Sequence, residues 1–106
     1  MADVNYELIS AADYETLPID PDACFVALDD ICQSNMNRMI GEDSSNQFDT
    51  SIRMQYMATM AAYAKECGID EVVSAYSEPY DLRAFTAFSL AIKGAVARIR
   101  FRKSDD

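Results

Sequence analysis

Ala97–Lys103 reads ARIRFRK, which places three arginines and a lysine in seven residues of a chain whose formal net charge is −9. Two structures compete for this segment. From Arg98 to Arg102 basic and apolar residues alternate, which is the pattern of a half-buried strand. The segment also continues a long apolar run with helical spacing, and arginine is a strong helix former that stabilises a helix C-terminus. The longer run favours a helix.

The strand alternative has a candidate partner near the start of the chain. Asp3–Leu8 also alternates polar and apolar residues, so the two segments would form a short two-stranded ribbon with acids facing arginines. In the helical structure we expect ARIRFRK to end the last helix and to attract the acidic first half of the chain.

Upstream of ARIRFRK the sequence predicts a long helix that begins after Asp81. Leu90 and several alanines fill most of its remaining sides, so we expect a central helix that its neighbours cover. Gly94 beside Ala95 permits close approach of another backbone, either inside the bundle or in a homodimer. The apolar stripe with helical spacing consists of Leu82, Phe85, Phe88, Ile92, Val96 and Ile99.

A capping signal predicts another helix in the first half of the chain. Asp20 is a good N-cap, and Pro21 fits the first helical position. Apolar residues then recur at helical spacing over residues 21–40, until Gly41 supplies a stop.

A further helix is predicted over residues 51–67, where apolar residues share one face and Gly68 follows. The short connection over residues 41–50 would place this helix antiparallel to the preceding one, as an N-terminal αα-hairpin. A short helix is expected over residues 70–75.

These elements predict one all-α domain over residues 1–106, a small bundle of three or four helices. It would have an N-terminal arm over 1–18 and a basic, then acidic, tail over 98–106. The length and the 50% hydrophobic composition suffice for one modest core. No signal-peptide pattern opens the chain, and its longest apolar stretch, Ala84–Ala97, is shorter than the ~20 residues of a membrane span. We therefore expect a cytoplasmic protein that does not bind membranes, and three cysteines without CxxC spacing agree.

The residue types exclude most kinds of catalytic and metal site. The chain has no histidine, which removes histidine bases, Cys-His nucleophiles and histidine metal ligands. The three glycines are far apart, so no glycine-rich phosphate motif exists. The oxygen-rich segment from Asp43 has Phe48 and Met54 where a calcium loop needs Gly and Glu. We predict a protein that is not an enzyme and needs no cofactor or metal.

Acidic charge is concentrated in the first half of the chain. Residues 1–50 contain eleven acidic residues and one basic residue, a net charge of −10, whereas residues 51–106 have a net charge of +1. An acidic surface repels nucleic acid and attracts basic proteins, although it also serves solubility alone. We hypothesise a protein–protein interaction module of adaptor, inhibitor or immunity type that binds a basic surface of a partner protein.

The residues predicted to contact this partner lie on the first long helix and just after it. Methionines on this helix are either adaptable core residues or part of a plastic groove for a partner. The predicted contact residues are Asp22, Asp29, Asp30, Glu42, Asp43, Met36 and Met39.

The alternative function is that of a dimeric regulator associated with nucleic acid. Its contact residues would be Arg98, Arg100, Arg102 and Lys103. Four phosphate contacts give a salt slope of only about −3 to −4, which needs dimerisation or a second contact to produce useful affinity. Because the rest of the chain is acidic, the sequence favours the protein partner.

Overall fold

The computed structural model describes residues 8–42, 50–77 and 81–104, which form a compact arrangement of five helices without a strand. The all-α class is therefore confirmed, and these ranges contain more helices than the three or four expected. None of their helices is long and apolar enough to cross a membrane. The helices are α1 (Ala11–Glu15), α2 (Pro21–Glu42), α3 (Thr50–Cys67), α4 (Asp70–Ala75) and α5 (Leu82–Ser104).

ARIRFRK lies inside α5, so the helical prediction is confirmed and a strand over residues 98–102 is wrong. A strand would place Ile99 and Phe101 on the same side. In the helix Ile99 is 1% exposed, in the core, whereas Phe101 is 72% exposed. Of the partner segment proposed for the ribbon, only Leu8 belongs to the described residues, and it is buried.

Polar caps set the helix starts that the sequence predicts. The backbone N–H of Asp22 donates to Asp20 Oδ1 at 3.0 Å, which caps α2. The backbone N–H of Ala84 donates to Asp81 Oδ1 at 2.9 Å, which caps α5 in the same way. α2 continues through Gly41 to Glu42, so the predicted stop is two residues early.

The turn between α3 and α4 depends on Gly68, whose φ of 74° is in the left-handed region that favours glycine. The Ile69 N–H then donates to the Ala64 carbonyl at 2.9 Å, and the Ile69 side chain is buried behind it. This arrangement ends α3 at the position that the sequence predicts and starts α4 immediately afterwards.

The predicted N-terminal arm contains a helix that the sequence analysis missed. Ser10 caps α1 by accepting a hydrogen bond from the Asp13 N–H at 3.1 Å. Just before it, Leu8 and Ile9 are buried and belong to the main apolar core. Leu8 and Ile9 therefore anchor the arm to the bundle, whereas the described side chains of α1 itself are exposed.

α2 and α3 pack along each other in opposite directions. Cys67, at the end of α3, donates a hydrogen bond to the carbonyl of Pro21, at the start of α2. Further along, Gln33 of α2 meets Tyr56 of α3. The connection over residues 43–49 lies outside the described residues, so the αα-hairpin itself stays a prediction.

The core lies where α2, α3, α4 and α5 meet. Its centre is the buried Tyr56 of α3, whose ring contacts the Phe88 ring of α5 edge-on, with centroids 6.3 Å apart. Other large, fully buried side chains are Phe25, Leu28, Met57, Met60, Val72, Ile92 and Ile99. Most of the methionine excess thus fills the core, and Met54 is the exposed exception among the described methionines of α2 and α3.

The expectation that α5 is covered on most sides is wrong. The bundle buries one face of α5, while Leu82, Leu90 and Phe101 are exposed. α5 packs against α2, α3 and α4, and within the described residues these helices all lie on that one side. The helix is thus peripheral, with an apolar face left open to solvent.

Candidate protein-binding surface

The basic end of α5 lies against acidic residues of α2 and α4. Arg100 Nη2 is 3.2 Å from Asp30 Oδ2, and Arg102 forms an ion pair with Asp22. Arg98 pairs with Glu71 of α4 in the same way. The predicted attraction between ARIRFRK and the acidic first half is thus confirmed for two of the three arginines. Because the three arginine side chains are more than half exposed, each pair contributes about 0.2–1 kcal/mol.

Asp29 is a core residue and not part of an exposed acidic face. Its side chain is buried, with 8% of the residue exposed. The Tyr56 hydroxyl donates to Asp29 Oδ1 at 2.8 Å, and Gln33 Nε2 donates to the Tyr56 oxygen at 3.1 Å. Burial raises the pKa of Asp29, while the hydrogen bond from Tyr56 opposes this rise.

The remaining residues predicted to contact a partner do not form one patch. Met36 is buried and Met39 packs against the core. Glu42 is the last residue of α2, at the far end from Asp22, and Asp43 lies outside the described residues. A 22-residue helix is about 33 Å long. The structure therefore brings neither Glu42 nor the methionines together with Asp22 at the start of α2.

A shallow cleft of about 410 Å³ adjoins the middle of α2. It brings Asp30 of α2 close to Asp13 of α1, and no cationic residue is among the described side chains that line it. Both carboxylates are exposed. The lining residues are Asp13, Asp30, Ile31, Ser34 and Asn35. This cleft presents negative charge beside hydrogen-bonding side chains, which suits a lysine or arginine side chain of a partner.

Sequence reasoning missed Asp13 because it did not recognise α1. The available signal was Ser10, a good N-cap, three residues before the acid. We define the acidic cleft surface as the cleft with the two carboxylates of Asp13 and Asp30.

Two cysteine thiols, Cys67 at the end of α3 and Cys32 on α2, lie near acidic residues. Burial raises the pKa of the Cys67 thiol to about 11, and the nearby charges of Asp22, Glu66 and Asp20 contribute to the rise. Burial likewise raises the pKa of Cys32 to about 12. Both thiols are therefore protonated at neutral pH and are poor nucleophiles. No group of three potential metal ligands comes together in the described ranges.

The residues of the nucleic-acid alternative are already engaged with carboxylates where the structure describes them. Arg98, Arg100 and Arg102 each contact an acidic side chain. Lys103 lies in α5, but its side chain is outside the described part of the structure. A phosphate backbone would have to compete with three carboxylates for these arginines.

No protein-family model, curated protein or solved structure matches this chain significantly.

Proposed function

We propose that the protein is a protein–protein interaction module, of adaptor, inhibitor or immunity type, whose acidic cleft surface binds a basic surface of a partner protein. The observation that supports this proposal is the juxtaposition of Asp13 and Asp30 in a cleft lined by no described cation. Exposed carboxylates from two helices line this cleft, beside the polar side chains of Ser34 and Asn35.

The internal ion pairs indicate which partner chemistry suits this surface. Asp30 accepts a hydrogen bond from the Arg100 guanidinium at 3.2 Å, and one carboxylate has room for a second donor. Asp13 adds a further carboxylate in the same cleft. An arginine or lysine of the partner would therefore meet two acceptors, and the net charge of −9 would accelerate its approach.

The nucleic-acid alternative is less well supported. Its arginines face carboxylates of the same chain, and the acidic cleft surface carries the charge sign that repels phosphate.

Affinity capture from the host lysate, with and without nuclease, tests the proposal. The informative variant is Asp13→Lys with Asp30→Lys, and the matched control is Glu66→Lys with Asp70→Lys, which changes the charge equally at exposed positions elsewhere. We expect wild type and control to capture a basic protein that resists nuclease treatment and is released by salt, and the cleft variant to lose it. Equal capture by both variants would contradict this proposal, and loss of all partners after nuclease treatment would favour nucleic acid.

A further inference from the structure

The outward face of α5 carries a continuous apolar stripe. Its members recur every three or four residues, so they follow one side of the helix for about 21 Å. Leu90 is 64% exposed and Phe101 is 72% exposed. The stripe consists of Ala87, Leu90, Gly94, Ala97 and Phe101, all exposed. Single exposed apolar residues are ordinary on a protein surface, but an aligned row of this length is typical of a binding surface.

The stripe forms a shallow depression between two large side chains. Leu90 and Phe101 flank the small residues Gly94 and Ala97. A Cβ placed on Gly94 would meet nothing within 4 Å, so the helix backbone is accessible there. An apolar ridge of a partner helix can therefore approach α5 closely between the two large side chains.

A cationic cleft adjoins the stripe at Leu90, between α3 and α5. Its volume is about 280 Å³, and its lining includes Leu90, Arg53 and Lys93 but no acidic residue. The Arg53 guanidinium lies over the Phe85 ring, 5.0 Å from its centroid. α5 itself contains six basic residues and no acidic one, and three of them, Arg98, Arg100 and Arg102, pair with carboxylates of α2 and α4. The apolar stripe is thus bordered by positive charge, although the protein as a whole is strongly acidic.

These observations select among the possible occupants of the stripe. A second copy paired through α5 would bring the cationic cleft with Lys93 and Arg53 towards a second cleft of the same charge. An extended anionic lipid surface would be repelled, because it would face much of a protein whose net charge is −9. A single partner helix covers only the stripe and so meets less of this negative charge. Charge complementarity therefore favours a helix that is apolar along one side and acidic along the edges of that side.

We propose that the α5 stripe and the adjoining cationic cleft bind an acidic amphipathic helix of a partner protein. The apolar side of this helix packs on Leu90, Gly94 and Phe101, and a carboxylate on its edge pairs with Lys93 or Arg53. This surface differs from the acidic cleft surface, so the inference goes beyond the proposed function and gives the protein two binding surfaces of opposite charge.

A peptide titration tests the inference on the full-length protein. The probe is a designed amphipathic peptide with leucines along one side and glutamates beside them, and the control peptide carries lysines in place of the glutamates. Binding is followed by fluorescence anisotropy and by the amide shifts of the ¹⁵N-labelled protein. We expect the acidic peptide alone to bind and to shift amides of residues 87–101.

Two protein variants locate the contact. Leu90→Ser with Phe101→Ser should weaken peptide binding by about tenfold or more, because large apolar anchors dominate such contacts. Lys93→Glu should weaken it as well. The matched control is Ile19→Ser, which changes an apolar residue that is 97% exposed and lies outside α5, and we expect it to bind as wild type does. All these positions are exposed, so thermal unfolding should remain cooperative in each variant.

Several results would overturn the inference. These are equal binding of the lysine peptide, peptide-induced shifts confined to other helices, and unchanged affinity of the double variant. If sedimentation showed that the wild type is a dimer and that the Leu90→Ser, Phe101→Ser variant is a monomer, the stripe would instead bind a second copy of the chain. If the wild type bound anionic vesicles and the same variant did not, the stripe would instead bind a membrane.

Discussion

The two faces of α5 are both apolar, but only one of them belongs to the core. The inward face includes Phe88 and Ile92, at 0% and 1% exposure, packed against the rest of the bundle. The outward face includes Leu90 and Phe101, which are mostly exposed. Both faces recur at helical spacing, although large side chains predominate on the inward face and the outward face includes the small residues Ala87, Gly94 and Ala97. The difference shows that apolar character identifies surfaces able to be buried, and that the neighbouring helices determine which face the fold buries.

The largest expected effect compares a phenylalanine from each face. Phe88→Ala should lower the free energy of unfolding by about 3–5 kcal/mol, because it removes a fully buried ring and leaves a cavity beside Tyr56. Phe101→Ala should change it by about 0.5 kcal/mol or less, since the ring is mostly exposed. Urea unfolding of both variants measures the difference. Equal losses of unfolding free energy in the two variants would contradict the assignment of Phe88 to the core and Phe101 to the surface.

A smaller effect is expected from the polar contact behind the inward face of α5. Tyr56→Phe keeps the ring against Phe88 but removes the hydroxyl that donates to Asp29. The buried carboxyl then lacks that donor, which should cost about 1–3 kcal/mol. Urea unfolding measures the loss, and a double-mutant cycle with Asp29→Asn measures the coupling. An unchanged unfolding free energy in Tyr56→Phe would contradict the structural role of this contact.

Asp29→Asn should stabilise the protein at neutral pH, because the neutral amide avoids burying a charge and its oxygen can still accept the hydrogen bond from Tyr56. This gain should be smaller than the loss caused by Tyr56→Phe. Burial raises the folded-state pKa of Asp29 above its unfolded value of 3.8. The stability that this carboxyl contributes is therefore fully present below pH 3.8 and is lost as the pH rises through the folded pKa.

The difference between the Asn variant and wild type should accordingly grow as the pH rises and vanish in acid. Thermal unfolding of the two proteins across a pH series measures it. Asp30→Asn is the comparison at an exposed neighbouring position, which should not stabilise the protein because it removes the ion pair with Arg100. A pH-independent effect of Asp29→Asn would contradict a buried, ionisable Asp29.

The smallest effect per contact concerns the ion pairs at the basic end of α5. Changing Arg98, Arg100 and Arg102 to glutamine should lower the unfolding free energy by about 0.2–1 kcal/mol for each pair, because the side chains are exposed. Added salt should remove most of this difference. Arg83→Gln is the control on the same helix. A loss that persists at high salt would show that the arginines act through packing instead of charge.

Most helix bounds follow from local signals in the sequence. Asp20 with Pro21 starts α2, and Gly68 ends α3, because caps and positive φ angles depend on residues close in the chain. α1 was missed because five residues provide too little periodicity, although Ser10 marks its start. The helical state of ARIRFRK follows from the run that precedes it.

The candidate surface was harder to predict, since burial depends on distant residues. Asp29 and Asp30 are adjacent acids on α2, yet Asp29 accepts a hydrogen bond from Tyr56 in the core and Asp30 accepts one from Arg100 at the surface. The helical spacing does separate them, because Asp29 lies four residues after Phe25 and three before Cys32, on the buried face of α2, whereas Asp30 lies off that face. The contact of Asp22 and Asp30 with arginines was predictable from the charge difference between the halves, whereas the meeting of Asp30 with Asp13 depends on where α1 packs.

The measurement that tests the proposed function most directly is the association rate of the captured partner as a function of ionic strength. It is made with wild type, with Asp13→Lys and Asp30→Lys combined, and with the Glu66→Lys and Asp70→Lys control. We predict a wild-type rate that falls steeply with salt, a slower and nearly salt-independent rate for the cleft variant, and intermediate behaviour for the control. Identical rates and salt dependence in the cleft variant and the control would contradict binding at the acidic cleft surface.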